Sequence, residues 1–214
     1  MQKILDAFIV KKVEQSKFRF CGKEIEQLND YSIKVTCTDF AEQIDPIKFA
    51  TKDSKMTDLA TDSEIAQIRS VVGSLGWIAR QGRPDLSYDV SRGQGVVTKA
   101  TLKDLKEANQ AVDKAHVYSE KGMIWDSNAI SWDTAVVVTI SDAIFAQETV
   151  IEGDGKEKPH RTQKAFMIMM VDPDILSKDT AGCHVMGIES DRQASLQGDL
   201  TRRSTWGAFR NRNG

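Results

Sequence analysis

Few side chains in this sequence are placed to do chemistry. Asp142 follows a β-branched run, Ala135–Ile140, and stands between Ser141 and Ala143. A carboxylate between small residues at a strand end can project toward a divalent cation. The competing reading is a turn or cap residue. A second feature is Arg80-Gln81-Gly82-Arg83-Pro84-Asp85, which puts two guanidinium groups where one helix ends and another begins. Exposed guanidinium groups beside free helix amides suit a phosphate. The alternative is compensation of the helix C-terminus, with an Arg83–Asp85 pair. A third is Gly22, inside the alternating run Lys17–Glu26, where a bulge or a close backbone approach is expected.

Other signatures are missing. Gly155-Lys156 has neither the spacing nor the hydroxyl residue of a phosphate loop. Gly73-Ser74-Leu75-Gly76 falls within a helical pattern, where small residues allow close helix packing. His116, His160 and His184 are far apart, and His116 reads as a helix-surface residue. Cys21, Cys37 and Cys183 are odd in number and contain no Cys-x-x-Cys pair, so a reducing compartment is the default.

The chain has 214 residues, with 29 basic and 31 acidic side chains for a net charge of −2. That excludes a polycationic coat, so any nucleic-acid contact must be local. The last fourteen residues carry Arg202, Arg203, Arg210 and Arg212 and no acid. The longest apolar run, Ala165–Val171, is far short of the ~20 residues of a membrane span, and Asp6 interrupts a leader-like start. The expected location is intracellular, in cytoplasm or nucleus, with no membrane partner.

The elements that must position these groups follow from periodicity. Two alternating runs, Lys17–Glu26 and Tyr31–Thr38, flank Asn29-Asp30 and predict a hairpin. Asp45–Asp58 reads as a polar surface connection. Thr61 and Glu64 form a capping-box pattern ahead of Ile65, Ile68, Val72, Leu75 and Ala79, one face of a helix. A short helix over Asp85–Ser91 and a third over Thr101–Ser119 follow, the latter burying Leu102, Leu105, Ala108, Val112 and Ala115. After Gly122 the period becomes two, with strands over Ala135–Ile140, Ala165–Val171 and Cys183–Ile188. The expectation is α+β: an N-terminal β-hairpin (1–60), a helical bundle (61–122) and an antiparallel β-meander (123–214).

Three blocks resemble the polyprotein of copia-type LTR retrotransposons. Phe18-Arg19-Phe20-Cys21-Gly22-Lys23-Glu24-Ile25 is similar to the segment that follows the polymerase active site. Ile68–Ser91, with Arg69-Ser70-Val71-Val72-Gly73-Ser74-Leu75 and Arg83-Pro84-Asp85-Leu86, is the most specific match. Val138-Thr139-Ile140-Ser141-Asp142-Ala143-Ile144-Phe145-Ala146 resembles the opening strand of ribonuclease H, and Thr162–Phe166 the strand after it. The resemblance implies a primer-grip-like hairpin, thumb-like helices and a truncated ribonuclease-H-like meander. Cys21 and Gly22 would lie near a primer phosphate. Arg80, Arg83, Arg92 and Lys99 would touch the backbone of an RNA–DNA or DNA duplex. Asp142 would be a vestigial ligand for Mg2+, the parent family's metal. The remainder of the polyprotein is an implied partner.

The departures are specific. No Asp-Asp pair occurs, so the polymerase metal box is missing. Phe209 stands where the family's Arg-Ser-Thr-x-x-Ala-Glu motif has its second ribonuclease ligand. One carboxylate cannot assemble a two-metal site. The chain alone is therefore expected to perform neither RNA-directed DNA synthesis nor hybrid hydrolysis. A domesticated, non-catalytic interaction module derived from a retroelement is the alternative.

Overall fold

A computed structural model describes residues 12–50, 55–144, 150–151, 157–158, 162–178 and 180–193. The architecture is α+β with antiparallel sheets. Strands β1 (Lys17–Phe20), β2 (Lys23–Gln27) and β3 (Ile33–Thr36) form a meander, followed by the short helix α1 (Thr38–Glu42). Three longer helices come next: α2 (Asp62–Gln81), α3 (Ser87–Val96) and α4 (Leu102–Val117). Then β4 (Gly122–Trp125) returns to pair with β3, completing a sheet of order β1-β2-β3-β4.

That return carries Gly122–Trp125 into the first sheet. Gly122 opens a strand of the first sheet, lying so close under the Val35 carbonyl that any Cβ would collide with it. The hairpin and the helices also share one core, which runs from Cys37 and Ile44 through Ile68, Leu75 and Leu86 to Leu105 and Val112. The N-terminal sheet and the helical bundle are thus one packing unit.

Local chemistry sets the helix ends. Thr61 Oγ1 accepts from the Glu64 amide at 3.3 Å, and the Glu64 carboxylate accepts from the Thr61 amide at 2.8 Å, the expected reciprocal cap. Thr101 and Asp104 repeat the device at α4, with Asp in place of the usual Glu. The polar-looking connection after α1 is a strap rather than a free loop. Ile44 and Ile47 are buried. Asn109 clasps the Ile47 backbone from both sides, accepting from its amide at 2.7 Å and donating to its carbonyl at 3.0 Å. Gln67 accepts from the Lys48 amide, and Glu64 from the Ala50 amide. His116, expected on the surface, is half-buried with Nε2 3.0 Å from the Ile44 carbonyl.

The second sheet has the order β5-β8-β9, formed by β5 (Val136–Ile144), β8 (Thr162–Val171) and β9 (Cys183–Gln193), with the two-residue pair β6 (Val150–Ile151) and β7 (Glu157–Lys158) between β5 and β8 in the chain. Strand β9 runs beside α3. Trp132 stacks on the buried His184 at 5.7 Å between ring centroids, tying the preceding loop to β9. No helix among the described residues is long and apolar enough to cross a membrane.

Candidate nucleic-acid interface

Lys17–Glu26 was expected to be one strand with a bulge or a close backbone approach at Gly22; it is a hairpin in its own right. Phe20 pairs with Lys23, leaving Cys21 and Gly22 as a two-residue turn with φ of 48° and 76°. Two positive φ values in a two-residue loop match the strand twist, and the second falls to glycine for steric reasons. The close approach expected at Gly22 is real, and what approaches is protein. A Cβ there would stand 3.0 Å from Cη2 of the Trp77 indole. Trp77 also holds Phe40 at 4.5 Å between centroids. The turn is therefore seated on α2, one helical turn before Arg80.

Arg80 is exposed and shares the outer face of α2 with Arg69, Ser70 and Gly73, all exposed. Arg69 and Arg80 are eleven residues apart, or about 16 Å along the axis. Among the described residues nothing lies within 4 Å of the position a Cβ would take on Gly73. The close-packing role expected of these glycines holds at Gly76, 3.3 Å from Val90 Cγ1, but not at Gly73. A glycine inside an exposed helical stretch costs about 0.5–1 kcal/mol relative to alanine, and no contact with a described residue accounts for it.

Arg83 is not an exposed phosphate ligand. Its side chain is 1% exposed. Nε and Nη2 donate to the two Asp85 carboxylate oxygens at 2.9 and 3.0 Å. Nη1 donates to the carbonyls of Tyr118 at 2.6 Å and Ala115 at 3.3 Å, and Nη2 reaches the Lys114 carbonyl at 3.4 Å. The Arg83–Asp85 pair exists, and the C-terminus it compensates is that of α4. Burial alone would raise the Asp85 pKa; the Arg83 hydrogen bond and charge, with Lys114, outweigh it and hold the carboxyl below its ordinary value.

Arg92 is engaged as well. It pairs with Glu107 across the α3–α4 groove at 2.6 Å, and Lys114 pairs with Asp89 at 3.2 Å along the same rim. The groove encloses about 270 Å³ over Val72, Leu75, Ala108 and Ala111. Lys99 is exposed at the end of a 3₁₀ turn, Val97–Lys99, beyond α3. The structure thus seats the Cys21-Gly22 turn on Trp77, three residues before the exposed Arg80 in α2, and pairs Arg83 with Asp85 and Arg92 with Glu107.

Asp142 is not at a strand end. β5 continues to Ile144, and Asp142 is exposed within it, in register with Ala165, which is itself opposite Ser190. Among the described residues no group of three His, Cys, Asp or Glu side chains gathers to hold a metal ion. Phe209 and the terminal arginines lie outside the described residues.

Trp77 and the open Gly73 were not singled out from the sequence as interface residues. Their i, i+4, i+8 spacing with Arg69 is the signal that could have found them. Comparison with protein-family models, curated proteins and solved structures found no match.

Proposed function

We infer that the outer face of α2, with the Cys21-Gly22 turn docked beside it, is a sequence-blind binding surface for a nucleic-acid duplex backbone, as in the thumb and primer-grip region of a reverse transcriptase. The observation that carries this reading is the seating of the turn on Trp77, within one turn of Arg80. Residues 55 apart in sequence then present one surface. The gap at Gly73 between Arg69 and Arg80 supports it: an uncovered helix backbone flanked by cations admits a sugar–phosphate strand closely. The antiparallel order β5-β8-β9 supports the reading of the last third as a partial ribonuclease-H-like meander. The chain alone binds and does not catalyse: its sequence has no Asp-Asp pair, and Phe209 stands at the second ribonuclease ligand position.

The test is an anisotropy titration of an RNA–DNA hybrid at two salt concentrations. Each phosphate contact contributes about 0.9 to the logarithmic salt slope. Arg80→Ala and Arg69→Ala should each reduce that slope by about one. Gly73→Ala should stabilise the helix by about 0.5–1 kcal/mol while weakening hybrid binding, a split that a purely structural glycine does not give. Absence of affinity for the hybrid at low salt would overturn the reading. Mg2+-dependent hybrid cleavage that disappears in Asp142→Asn would overturn its non-catalytic part.

A further inference from the structure

The imidazole near the start of β9 carries an inference independent of the nucleic-acid reading. His184 is 2% exposed, and its Nδ1 is buried with no hydrogen-bond partner. Buried side-chain nitrogens are nearly always partnered, so an orphaned one calls for an explanation. His184 is directly opposite Met170 of β8, on the same face of the sheet. Opposed residues hold their Cβ atoms about 4.5–5.5 Å apart. Val185 is opposite Met169 and Gly187 opposite Ile168, so Met186 is the extra residue of a β-bulge. A bulge re-aims a side chain, and that of Met186 is 55% exposed. Trp132 stacks on the His184 ring with an interplanar angle of 25°. Four of the seven methionines, Met167, Met169, Met170 and Met186, fall in β8 and β9, so thioether sulfur is the donor in supply there. The cross-strand row Val137–Met170–His184 contains no carboxylate.

We propose that His184 Nδ1, Met170 Sδ and Met186 Sδ bind one soft monovalent cation of the Cu(I) class, with Trp132 stacked on the ligating imidazole. Thioether and neutral imidazole are donors that soft ions select, whereas Mg2+, Ca2+ and Mn2+ take carboxylate, carbonyl and water oxygens. The burial of Nδ1 sets the charge as well. The ion must leave its hydration shell to reach that nitrogen, and the row offers no carboxylate to neutralise it, so a single positive charge is the least costly to bury. The indole face of Trp132 stabilises the positive charge that the imidazole acquires from the ion. Met186 is the entry side, because its flexible and exposed thioether meets the ion at the surface and carries it to the His184–Met170 pair. The ion exchanges ligands and keeps its oxidation state, so no electron donor or acceptor is needed.

Ag+ is the redox-stable probe of this class. The full chain with Cys21→Ser/Cys183→Ser, which removes the exposed thiols, is labelled at its methionine methyl groups and titrated with Ag+ to molar excess by NMR. Of the seven methyl signals, those of Met170 and Met186, assigned through Met170→Leu and Met186→Leu, should move together and saturate. The His184 Nδ1 signal should move with them, a reading that needs no substitution in the core. Mg2+ should leave all three in place. Loss of an outer-shell partner alone costs a metal site about tenfold or more, so either leucine variant, near methionine in volume, should raise the Ag+ midpoint by at least that factor. Met170 and Met186 signals that stay in place, that move without His184 Nδ1, or that keep the parent midpoint in the leucine variants would each overturn the proposal.

Discussion

Arg83→Ala is the most informative substitution for the helical unit. The guanidinium is fully buried and makes five hydrogen bonds, two to Asp85 and three to carbonyls at the C-terminal end of α4. Removing it strands the buried Ala115 carbonyl and takes a second donor from the Lys114 and Tyr118 carbonyls, which keep the Tyr118 and Lys121 amides. Each unmade bond of this kind costs about 1 kcal/mol. The Asp85 share is smaller, because that side chain is 39% exposed and water can replace its partner. A total loss of about 3 kcal/mol follows. With a urea dependence of about 2 kcal/mol per molar, the unfolding midpoint followed by helical circular dichroism should fall by about 1.5 M. Arg83→Lys should recover little, since an ammonium cannot span a carboxylate and three carbonyls at once. Arg80→Ala, at an exposed position, should stay within about 0.5 kcal/mol of the parent. If Arg83→Ala left the midpoint unchanged while removing affinity for an RNA–DNA hybrid, the structural role assigned to Arg83 would be wrong and the phosphate-ligand reading restored.

Three further outcomes are expected. The buried Cys37 thiol is pushed up to about 11 by burial and by the Glu24 charge, so a thiol reagent at pH 8 should modify the exposed Cys21 and Cys183 and reach Cys37 only on unfolding. Glu64 is held below its ordinary pKa by the Ala50 and Thr61 amides, as Asp85 is by Arg83. A depressed carboxyl contributes stability that is full above its unfolded value, near about pH 4, and is lost as pH falls through the folded one. The acid limb of a pH–stability curve should therefore flatten in Glu64→Gln; an unchanged limb would refute the assignment. Gly22→Val should destabilise by about 1–3 kcal/mol, because the turn needs φ of 76° and the side chain would meet Trp77. Trp77→Ala should remove the steric part of that penalty in a double-mutant cycle and leave the backbone part.

The division between what the chain pattern dictates and what folding decides follows the range of the forces involved. Thr61/Glu64 caps α2, and the spacing of Ile68, Val72, Leu75 and Ala79 sets its buried face, because caps and helical periodicity involve residues within a turn or two. The α4 face and the β-branched strand around Val138 were legible for the same reason. Capping at Thr101 was equally local, and the Asp in place of Glu hid it.

Long-range partners were not legible. That Lys17–Glu26 folds back at Cys21-Gly22 depends on Trp77, 55 residues beyond Gly22, giving that turn a seat. That Asp45–Asp58 contains a buried strap depends on amides from Gln67 and Asn109 meeting its backbone. That β4 belongs to the first sheet depends on β3 offering it an edge across the whole helical insertion. Arg83 shows the division most plainly. Its sequence neighbours supplied both a phosphate-ligand and an ion-pair reading, and only the arrival of the last turn of α4 beside it, bringing three carbonyls within reach of the guanidinium, decided between them. A side chain's type fixes what it can bond, whereas the tertiary approach of distant backbone fixes which of those bonds is made.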